Sequence, residues 1–421
     1  MPTSRIPIRL LMVAPMFVLA GITARSQTTN GGSTYSIFNL GDLQTGSTAA
    51  VAGRGGIEAS IPSPDLLNSI NPASWSDLRY TTVQASLSFH QYQVSDASTS
   101  IFQNDTRLRE FAFGIRWSEK LGGAAGIAIR PYTVVNYRTS LSQAVPGLDS
   151  LTRARIDYTG RGGISTARIG GSIRPADHFS VGATANFFLG TIANASDVTF
   201  PASSSSLSPA TYESSARFSG FSASVGAWIE PVTGLRIGVV ADLGSTLTRS
   251  RIETSSFVQG GQTFINRDTL ADDEVTIPTR ITAGLSYATG RFLVSAEGWT
   301  QSWEGSGLAT ARNATRLAIG LDRVASPSLN ATGFERWTFR MGAFLERTYY
   351  ALSAGEIDAY GASIGTRWPI TQASALNSST VLDLALEGGS RGTTDNGLTR
   401  EVFLRFSVGL SLNELWFLRR R

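Results

Sequence analysis

Arginine is the residue type with the clearest chemical potential in this sequence, because it recurs inside stretches in which every second residue is apolar. Arg130, Arg316, Arg340 and Arg405 are four such residues. A guanidinium is planar and presents several N–H donors at once, which suits a carboxylate or a phosphate. We therefore expect these four arginines to be substrate-binding residues for a molecule with an acidic head group.

A competing interpretation is that the arginines pair with acidic residues of the chain itself. Asp42, Glu58, Asp65 and Asp77 all precede the first alternating stretch and could accept such pairs. Buried charges in proteins are normally paired or hydrogen-bonded. Internal ion pairing therefore stays open as the alternative for every one of these arginines.

Catalytic residue types are scarce. Histidine occurs only at His90 and His178, and we expect His90 to act as a hydrogen-bonding group, not as a catalytic base. The chain has no cysteine, which excludes disulfides and thiolate metal sites. We therefore expect a protein that is not an enzyme and that uses no cofactor and no metal ion.

The arginines are positioned by segments that alternate between apolar and polar residues from residue 80 onward. This period of two is typical of β-strands, and about fourteen segments have the 9 to 11 or more residues that cross a bilayer at a tilt. No run reaches the roughly 18 apolar residues of a membrane-spanning helix. The predicted fold class is all-β, a transmembrane antiparallel β-barrel of about 14 strands over residues 80–421.

In such a barrel the apolar row of each strand faces lipid, and the row that carries the arginines lines the lumen. Short turns alternate with polar stretches at residues 95–107, 141–160, 193–214 and 250–273, which we expect to be long outer loops. Aromatic residues near the predicted strand ends are expected to form two girdles at the membrane interfaces. These residues are Trp117, Trp228, Trp368 and Trp416 at one end, and Tyr92, Tyr137, Trp303, Tyr349 and Tyr350 at the other.

The first 79 residues divide into two parts. Arg5 and Arg9 precede an apolar run over residues 10–22 and a small-x-small pattern at residues 24–26, which predicts a signal peptide over residues 1–26 and export to the bacterial outer membrane. Residues 27–79 do not alternate, and we expect them to form a plug in the lumen, since a barrel of this width is not filled by its own side chains. Removing the three arginines of the signal lowers the formal charge from +4 to +1, and no basic stripe is visible, so no nucleic-acid partner is expected.

Several motifs resemble the FadL and TodX family of outer-membrane transporters, in particular a Bacteroidetes-type FadL-like branch. They include Asn71, Pro72 and Ala73 before the first strand, and the stretches "YSIFNLGDL", "RPYTVVNY", "YTGRGGIS", "YGASIGTRWPI" and "RFSVGLSLNELWF". The resemblance implies a fourteen-stranded barrel, a plug that contains Asn71, Pro72 and Ala73, and capture of long-chain fatty acids or other apolar molecules. It also implies lateral release beside a kinked third strand, where Pro131 removes a ladder donor.

The sequence therefore predicts passive uptake of hydrophobic or amphiphilic small molecules with lateral release into the membrane. The alternative is a PorV-like barrel that acts as a binding partner in an outer-membrane protein-secretion assembly. The expected partners are the lipid bilayer, lipopolysaccharide, a hydrophobic small-molecule ligand and, during biogenesis, the barrel-assembly machinery. Trp416 and Phe417 resemble the terminal aromatic residues by which that machinery recognises outer-membrane strands.

Overall fold

The computed structural model describes residues 28–144, 153–201, 207–259, 261–328, 330–371 and 378–414. The predicted signal peptide, residues 1–26, and the terminal aromatic residues Trp416 and Phe417 lie outside the described residues. Among the helices of the described ranges, none is long and apolar enough to cross a membrane.

Residues 81–414 form a closed antiparallel barrel of 14 strands, which confirms the predicted fold class. Three of the fourteen wall strands are broken: the third consists of β5 and β6, the seventh of β10 and β11, and the eighth of β12, β13 and β14. The segments are β3 (Thr81–Ser95), β4 (Ser100–Ser118), β5 (Gly123–Pro131), β6 (Thr133–Ala144), β7 (Arg153–Ala176), β8 (Phe179–Thr199), β9 (Ala210–Val232), β10 (Leu235–Asp242), β11 (Ser245–Gln259), β12 (Gln262–Thr269), β13 (Asp273–Ile277), β14 (Arg280–Thr289), β15 (Phe292–Gln301), β16 (Ala314–Arg323), β17 (Thr338–Leu352), β18 (Gly355–Pro369), β19 (Ser378–Arg391) and β20 (Arg400–Glu414).

The last strand closes the barrel on the first. β20 pairs with β3 without interruption, from Thr81 opposite Glu414 to Ser95 opposite Arg400. Along β20 the alternating apolar row is exposed on the outer surface, Leu404 among it, whereas Phe403 and Ser407 are buried on the inner one. The apolar rows therefore face outward, as the alternation predicts for a barrel in lipid.

On the side of the long connections the strands reach further than the sequence predicts. β4 begins at Ser100, β8 continues to Thr199, and β11 and β12 form a hairpin across residues that were expected to be a loop. All eight residues of β12 are exposed. Strands that rise above the membrane meet water on both faces, so hydrophobic alternation does not mark them in the sequence.

The N-terminal residues 31–79, here called the plug segment, lie inside the barrel. They include one short strand, β2 (Asp42–Leu43), one short helix, α1 (Ala49–Ala52), and 3-10 turns at Thr34–Ile37 and Pro72–Asp77. Another short strand, β1 (Thr28–Asn30), lies just before them. Thr48 caps α1 with its side chain, and Asn71 does the same for the second 3-10 turn. Most side chains between residues 47 and 76 are buried against the inner wall.

The prediction of two aromatic girdles is wrong for most of its residues. The residues expected at the outer interface, together with Trp228 at the other end, are buried inside the barrel, whereas Trp117 and Trp368 are exposed as a girdle requires. The inward residues are Tyr92, Tyr137, Trp228, Trp303, Tyr349 and Tyr350. Several of them form an aromatic cluster with Tyr35 and Leu40 of the plug segment, in the part of the lumen nearer the long connections. Position near a strand end does not distinguish an interfacial aromatic residue from a lumenal one, because only the parity along the strand decides the face.

Candidate functional site in the barrel wall

The third wall strand is broken at Pro131. The ladder between β4 and β5 runs from Ser118 opposite Gly123 to Phe111 opposite Ile129 and ends there. β6 continues the strand by pairing with β7, from Val135 opposite Gly162 onward. Within the described residues β6 has no ladder with β4, so the outer halves of the second and third wall strands are separated by a gap.

Two consecutive glycines in β7 allow this break. Gly162 has φ +109° and Gly163 has φ +139°, a region that residues with a Cβ rarely adopt. A Cβ on Gly163 would overlap the carbonyl oxygen of Thr133, the first residue of β6. The β7 glycines therefore let β6 shift its register and lean away from β4.

The beginning of the described chain pairs with both borders of the gap. β1 runs parallel to β4, with Thr28 opposite Phe102. The N–H of Gly32 then donates to the carbonyl oxygen of Asn136 on β6 at 2.9 Å. Further along, β2 pairs antiparallel with β6 at Thr133 and Val134. Main-chain groups that would be unpaired at the gap thus find partners in the N-terminal segment.

A cavity of about 420 Å³ remains below these contacts. It is lined by residues 105–108 of β4, 129–131 of β5, 134–136 of β6, and Arg161, Gly162 and Ser165 of β7. Leu108 and Ile129 lie on the lipid-facing surface, 46% and 47% exposed, whereas Arg107 and Arg130 are buried on the inner side. Residues of both faces thus border the cavity, which lies at the interruption of the ladder between the second and third wall strands.

Arg130 differs from the other buried arginines around it. Its side chain is only 4% exposed, yet within the described part of the chain its guanidinium makes no hydrogen bond and no ion pair. Arg168 repels its charge through space, whereas Asp242, Glu110 and Glu58 attract it without bonding to it. A buried guanidinium without a bonded partner is costly, and an anionic group in the adjacent cavity would satisfy it.

The three other arginines predicted to bind substrate have partners within the protein. Arg316 pairs with Glu346 and lies 3.6 Å from the ring centre of Phe344. Arg340 pairs with Asp383 at 2.6 Å, and Arg405 pairs with Glu387 at 2.5 Å. For these three residues the structure favours the alternative of internal pairing over ligand binding.

The space between the paired arginines is small. A polar cavity of about 30 Å³ lies beside Asp42, Arg316 and Arg405, which is about the volume of one water molecule. His90 lies at its edge, where it contacts the hydroxyls of Ser88 at 2.7 Å and Tyr92 at 3.1 Å. His90 is thus a hydrogen-bonding group of the lumen, and the acidic residue Asp96 is not among its partners.

Asn71, Pro72 and Ala73 attach the plug segment to the wall. The Asn71 side chain donates to the carbonyl oxygens of Ala59 at 2.7 Å and Ala227 at 3.2 Å. The carbonyl oxygen of Ala73 accepts from the Ser180 hydroxyl and from the indole N–H of Trp228. Two wall glycines, Gly182 and Gly226, leave the space in which Asn71 and Pro72 lie. This motif is a structural anchor on β8 and β9.

A second attachment, here called the inner latch, consists of Asp77, Arg174 and Arg236. Asp77 binds the two arginines at 2.5 Å each, and both guanidiniums lie against the ring of Trp228, at 4.9 and 4.0 Å. The Asp77 side chain is buried. The inner latch therefore ties the end of the plug segment to β7 and β10.

A third attachment, the outer latch, consists of Asp42, Arg107, Arg391 and Glu401. Asp42 pairs with Arg391 at 2.6 Å and with Arg107 at 3.5 Å, and Arg391 also binds Glu401 at 2.7 Å. The sequence indicated Asp42 as an internal partner but not these arginines. Arg107 lay in a predicted loop. Leu108 is the signal that could have found it, because an outward-facing apolar residue at position 108 places residue 107 on the inner face of the strand.

The barrel with the plug segment inside it has a FadL-like fold, which it shares with several solved structures. The CymD monoaromatic hydrocarbon channel has 11% identity and a TM-score of 0.58, and the match covers 90% of this chain and 99% of that one. A Pseudomonas aeruginosa FadL homologue has 14% identity and a TM-score of 0.59, with 89% and 99% coverage. The Ralstonia pickettii toluene transporter TbuX has 15% identity and a TM-score of 0.59, also with 89% and 99% coverage.

The chain is a FadL-like outer-membrane barrel. It belongs to the BamG family, whose model matches residues 8–421. No curated protein matches the sequence.

Proposed function

We propose that this barrel takes up hydrophobic or amphiphilic small molecules and passes them into the bilayer through the cavity in its wall. The observation that carries this proposal is the combination of a cavity at the interrupted ladder with the unpaired guanidinium of Arg130. The similar solved structures include a hydrocarbon channel and a toluene transporter, which supports the proposal by analogy of fold.

The cavity favours a molecule with an acidic head and an apolar tail. Its volume lies in the usual range for small-ligand sites, about 300 to 1,000 Å³. Arg130 offers a charge-assisted hydrogen bond to a carboxylate, and Leu108, Ile129 and Pro131 border the cavity on the lipid side. A long-chain carboxylate would therefore place its head at Arg130 and its tail toward the membrane.

Entry from outside requires the plug segment to move. The aromatic cluster around Tyr35, Leu40, Tyr349 and Tyr350 lies in the part of the lumen nearer the long connections. The outer latch also holds Asp42 beneath that cluster. We propose that the outer part of the plug segment shifts during uptake while the inner latch holds its end in place.

A photoreactive long-chain carboxylate, incorporated with the protein into lipid nanodiscs, tests the proposed route. We expect cross-links concentrated on residues 129–136, mapped by mass spectrometry, and a loss of these cross-links in Arg130→Gln. The matched alcohol, which lacks the charge, is the control probe. Equal labelling of the gap and of the lipid-facing surface of β20 by both probes would contradict the proposal.

A second function is favoured by the family match and by the occupied lumen. The family name, BamG, hints at a relation to barrel assembly. The aromatic cluster and the two latches occupy the lumen from the part nearer the long connections to the inner end, which suits a barrel that serves as a binding partner in an outer-membrane assembly or secretion complex. In that case the outer surface of the barrel, and not its lumen, carries the function.

Deletion of the protein, followed by complementation with Arg130→Gln, separates the two functions. If the protein functions in uptake, the Arg130→Gln variant fails to restore transport of a long-chain carboxylate. The levels of other folded outer-membrane proteins are then the same with the variant as with the unmodified protein. A role in assembly predicts that deletion lowers those levels and that Arg130→Gln restores them. If deletion changes neither measurement, both proposals are wrong.

A further inference from the structure

The outward face of the wall next to the gap carries exposed arginines above the lipid-facing apolar band. Arg161 on β7 and Arg217 on β9 are exposed, and each stands on the outer surface, since the residues before and after Arg217 in β9, Ala216 and Phe218, are buried inside. Arg138 on β6 is also exposed. These three residues are here called the outer arginine patch.

The strand register places the patch residues near one another. Arg138 stands opposite Thr159, which makes Arg161 its diagonal neighbour, with Cα atoms about 7 to 8 Å apart. Arg161 and Arg217 are separated by β8 alone, through Ala193 and Thr191. Two strand spacings of about 4.8 Å and a shift of two residues place their Cα atoms about 12 Å apart, so their long side chains can reach one head group.

The patch differs from other exposed arginines of the barrel in its bonding. Arg155, further out on the same face of β7, binds Asp157 at 3.0 Å, and Arg347 on β17 binds Glu356 at 3.0 Å. The guanidiniums of Arg161 and Arg217 make no hydrogen bond and no ion pair with any residue that the structure describes. Both guanidiniums are therefore available to an anionic ligand.

The patch lies at the depth where lipid head groups begin. Leu189 on β8 lies one row closer to the membrane than Arg217 and is 59% exposed. The row after that contains Phe187 and Phe221, which are also exposed on the lipid-facing surface. An arginine at this boundary can keep its stem on apolar surface and its charge among head groups. The long connections are on this side, which is the outer side of the membrane.

We propose that the outer arginine patch binds the phosphate groups of an outer-leaflet glycolipid. A guanidinium binds phosphate through paired hydrogen bonds, and two such groups at this separation match a head group with more than one phosphate. The acyl chains of the lipid would then lie on Leu189, Phe187 and Phe221. Arg161 also borders the cavity in the wall, so this lipid would lie at the outer rim of the gap.

This inference does not depend on uptake through the gap. The lipid site uses the outer surface, whereas uptake uses Arg130 on the inner side. A protein that transports nothing would still hold the lipid, and failure of the lipid site would leave the transport proposal standing.

Native mass spectrometry of the purified protein with defined lipids tests the site. The probes are a bis-phosphorylated outer-membrane glycolipid, the same lipid after enzymatic removal of its phosphates, and inorganic phosphate alone. We compare the double variant Arg161→Gln/Arg217→Gln with the charge-matched control Arg155→Gln/Arg347→Gln. Both variants remove two exposed positive charges, but the control removes arginines that already have carboxylate partners.

We expect the double variant to bind the phosphorylated glycolipid at least about tenfold more weakly than the control, from the loss of charge-assisted hydrogen bonds. The dephosphorylated lipid should bind both variants equally. The inference is wrong if the two variants bind the phosphorylated lipid alike, or if removal of the phosphates does not weaken binding to the unmodified protein. Inorganic phosphate that binds as tightly as the glycolipid would identify a free-phosphate site and overturn the assignment to a lipid.

Discussion

Two seams of the barrel wall, each the contact between two neighbouring strands, show how one chain builds both a continuous and an interrupted sheet. Between β20 and β3 the ladder is unbroken along all 15 residues of β3. Between the second and third wall strands the ladder ends at Phe111 and Ile129, and a cavity lies beyond it. The first seam has no proline and no glycine with positive φ, whereas the second has Pro131 and lies beside Gly162 and Gly163. The difference shows that a few residues, and not the overall alternation, decide where the ladder of the wall is interrupted.

The two seams also differ in what their inner surfaces contact. The inner face of the β20–β3 seam carries paired charges, such as Arg405 with Glu387. The inner side of the gap carries Arg130, which has no bonded partner among the described residues. An interrupted ladder and an unsatisfied guanidinium coincide at one place, and we take this coincidence as the mark of a functional site.

The largest expected effect comes from detaching the plug segment that lies behind both seams. Asp77→Asn leaves Arg174 without a carboxylate among the described residues and leaves Arg236 only the longer contact with Glu230 at 4.0 Å. Removal of one partner from a buried ion pair typically costs about 3 to 5 kcal/mol. We expect a marked loss of thermal stability in detergent and an increase in ion conductance of the barrel in planar bilayers. Asp65→Asn is the control, because the Asp65 side chain is 24% exposed and that of Asp77 only 7%. Unchanged conductance in Asp77→Asn would show that the inner latch does not hold the plug segment.

The glycines of the gap give the next largest effect. Gly163→Ala places a methyl group at a position with positive φ against the Thr133 carbonyl, which costs about 1 to 3 kcal/mol in backbone strain alone. The measured quantity is the midpoint of urea unfolding after refolding into detergent. Gly388→Ala serves as the control, since its methyl group would meet only ordinary contacts at 3.8 and 3.9 Å. If both variants unfold at the same urea concentration, the glycine does not shape the gap.

Arg130 tests the chemical difference between the two seams, namely that its guanidinium has no bonded partner whereas Arg405 has one. Arg130→Gln removes the only positive charge of the protein to which we assign ligand binding. The affinity for a long-chain carboxylate should therefore fall by about 1.5 to 3 kcal/mol, or about ten- to a hundredfold. Arg405→Gln is the matched control on the intact seam. It leaves Glu387 without its partner, so it should lower stability without a comparable loss of affinity. Fluorescence displacement measures the affinity, and similar losses in the two variants would refute the distinction.

Pro131→Val has the smallest expected effect. Valine restores a main-chain N–H at the end of β5, and one regained hydrogen bond contributes about 0.5 to 1.5 kcal/mol. We expect slower uptake of an apolar substrate by whole cells with no loss of folding yield. The β-branched replacement also favours an extended strand at this position. Uptake at the rate of the unmodified protein would mean that the break at Pro131 does not control passage.

The alternation of residues was sufficient to predict the barrel, its strand number and the outward direction of the apolar rows. The same rule would have placed Tyr92 and Trp228 in the lumen, had parity been given priority over their nearness to strand ends. The outer ends of β8, β11 and β12 could not be predicted, because strands with water on both faces have no periodic signal.

For the candidate site, the sequence indicated Pro131 and the inward arginines but not which arginine lacks a partner. Arg130, Arg316, Arg340 and Arg405 have the same local pattern, and only the three-dimensional placement of Glu346, Asp383 and Glu387 separates them. Ion pairing across strands depends on register, which a single sequence does not specify for residues distant along the chain.

The absence of cysteine from the chain makes one measurement especially direct. A single cysteine at Val134, which lines the gap, is modified with a bulky apolar maleimide, and transfer of a long-chain carboxylate into the bilayer is measured in proteoliposomes before and after modification. The control cysteine replaces Leu404, which faces lipid on the intact β20–β3 seam. Passage through the gap predicts that modification at position 134 blocks transfer while modification at position 404 leaves it unchanged. Equal transfer by both modified proteins would contradict the account.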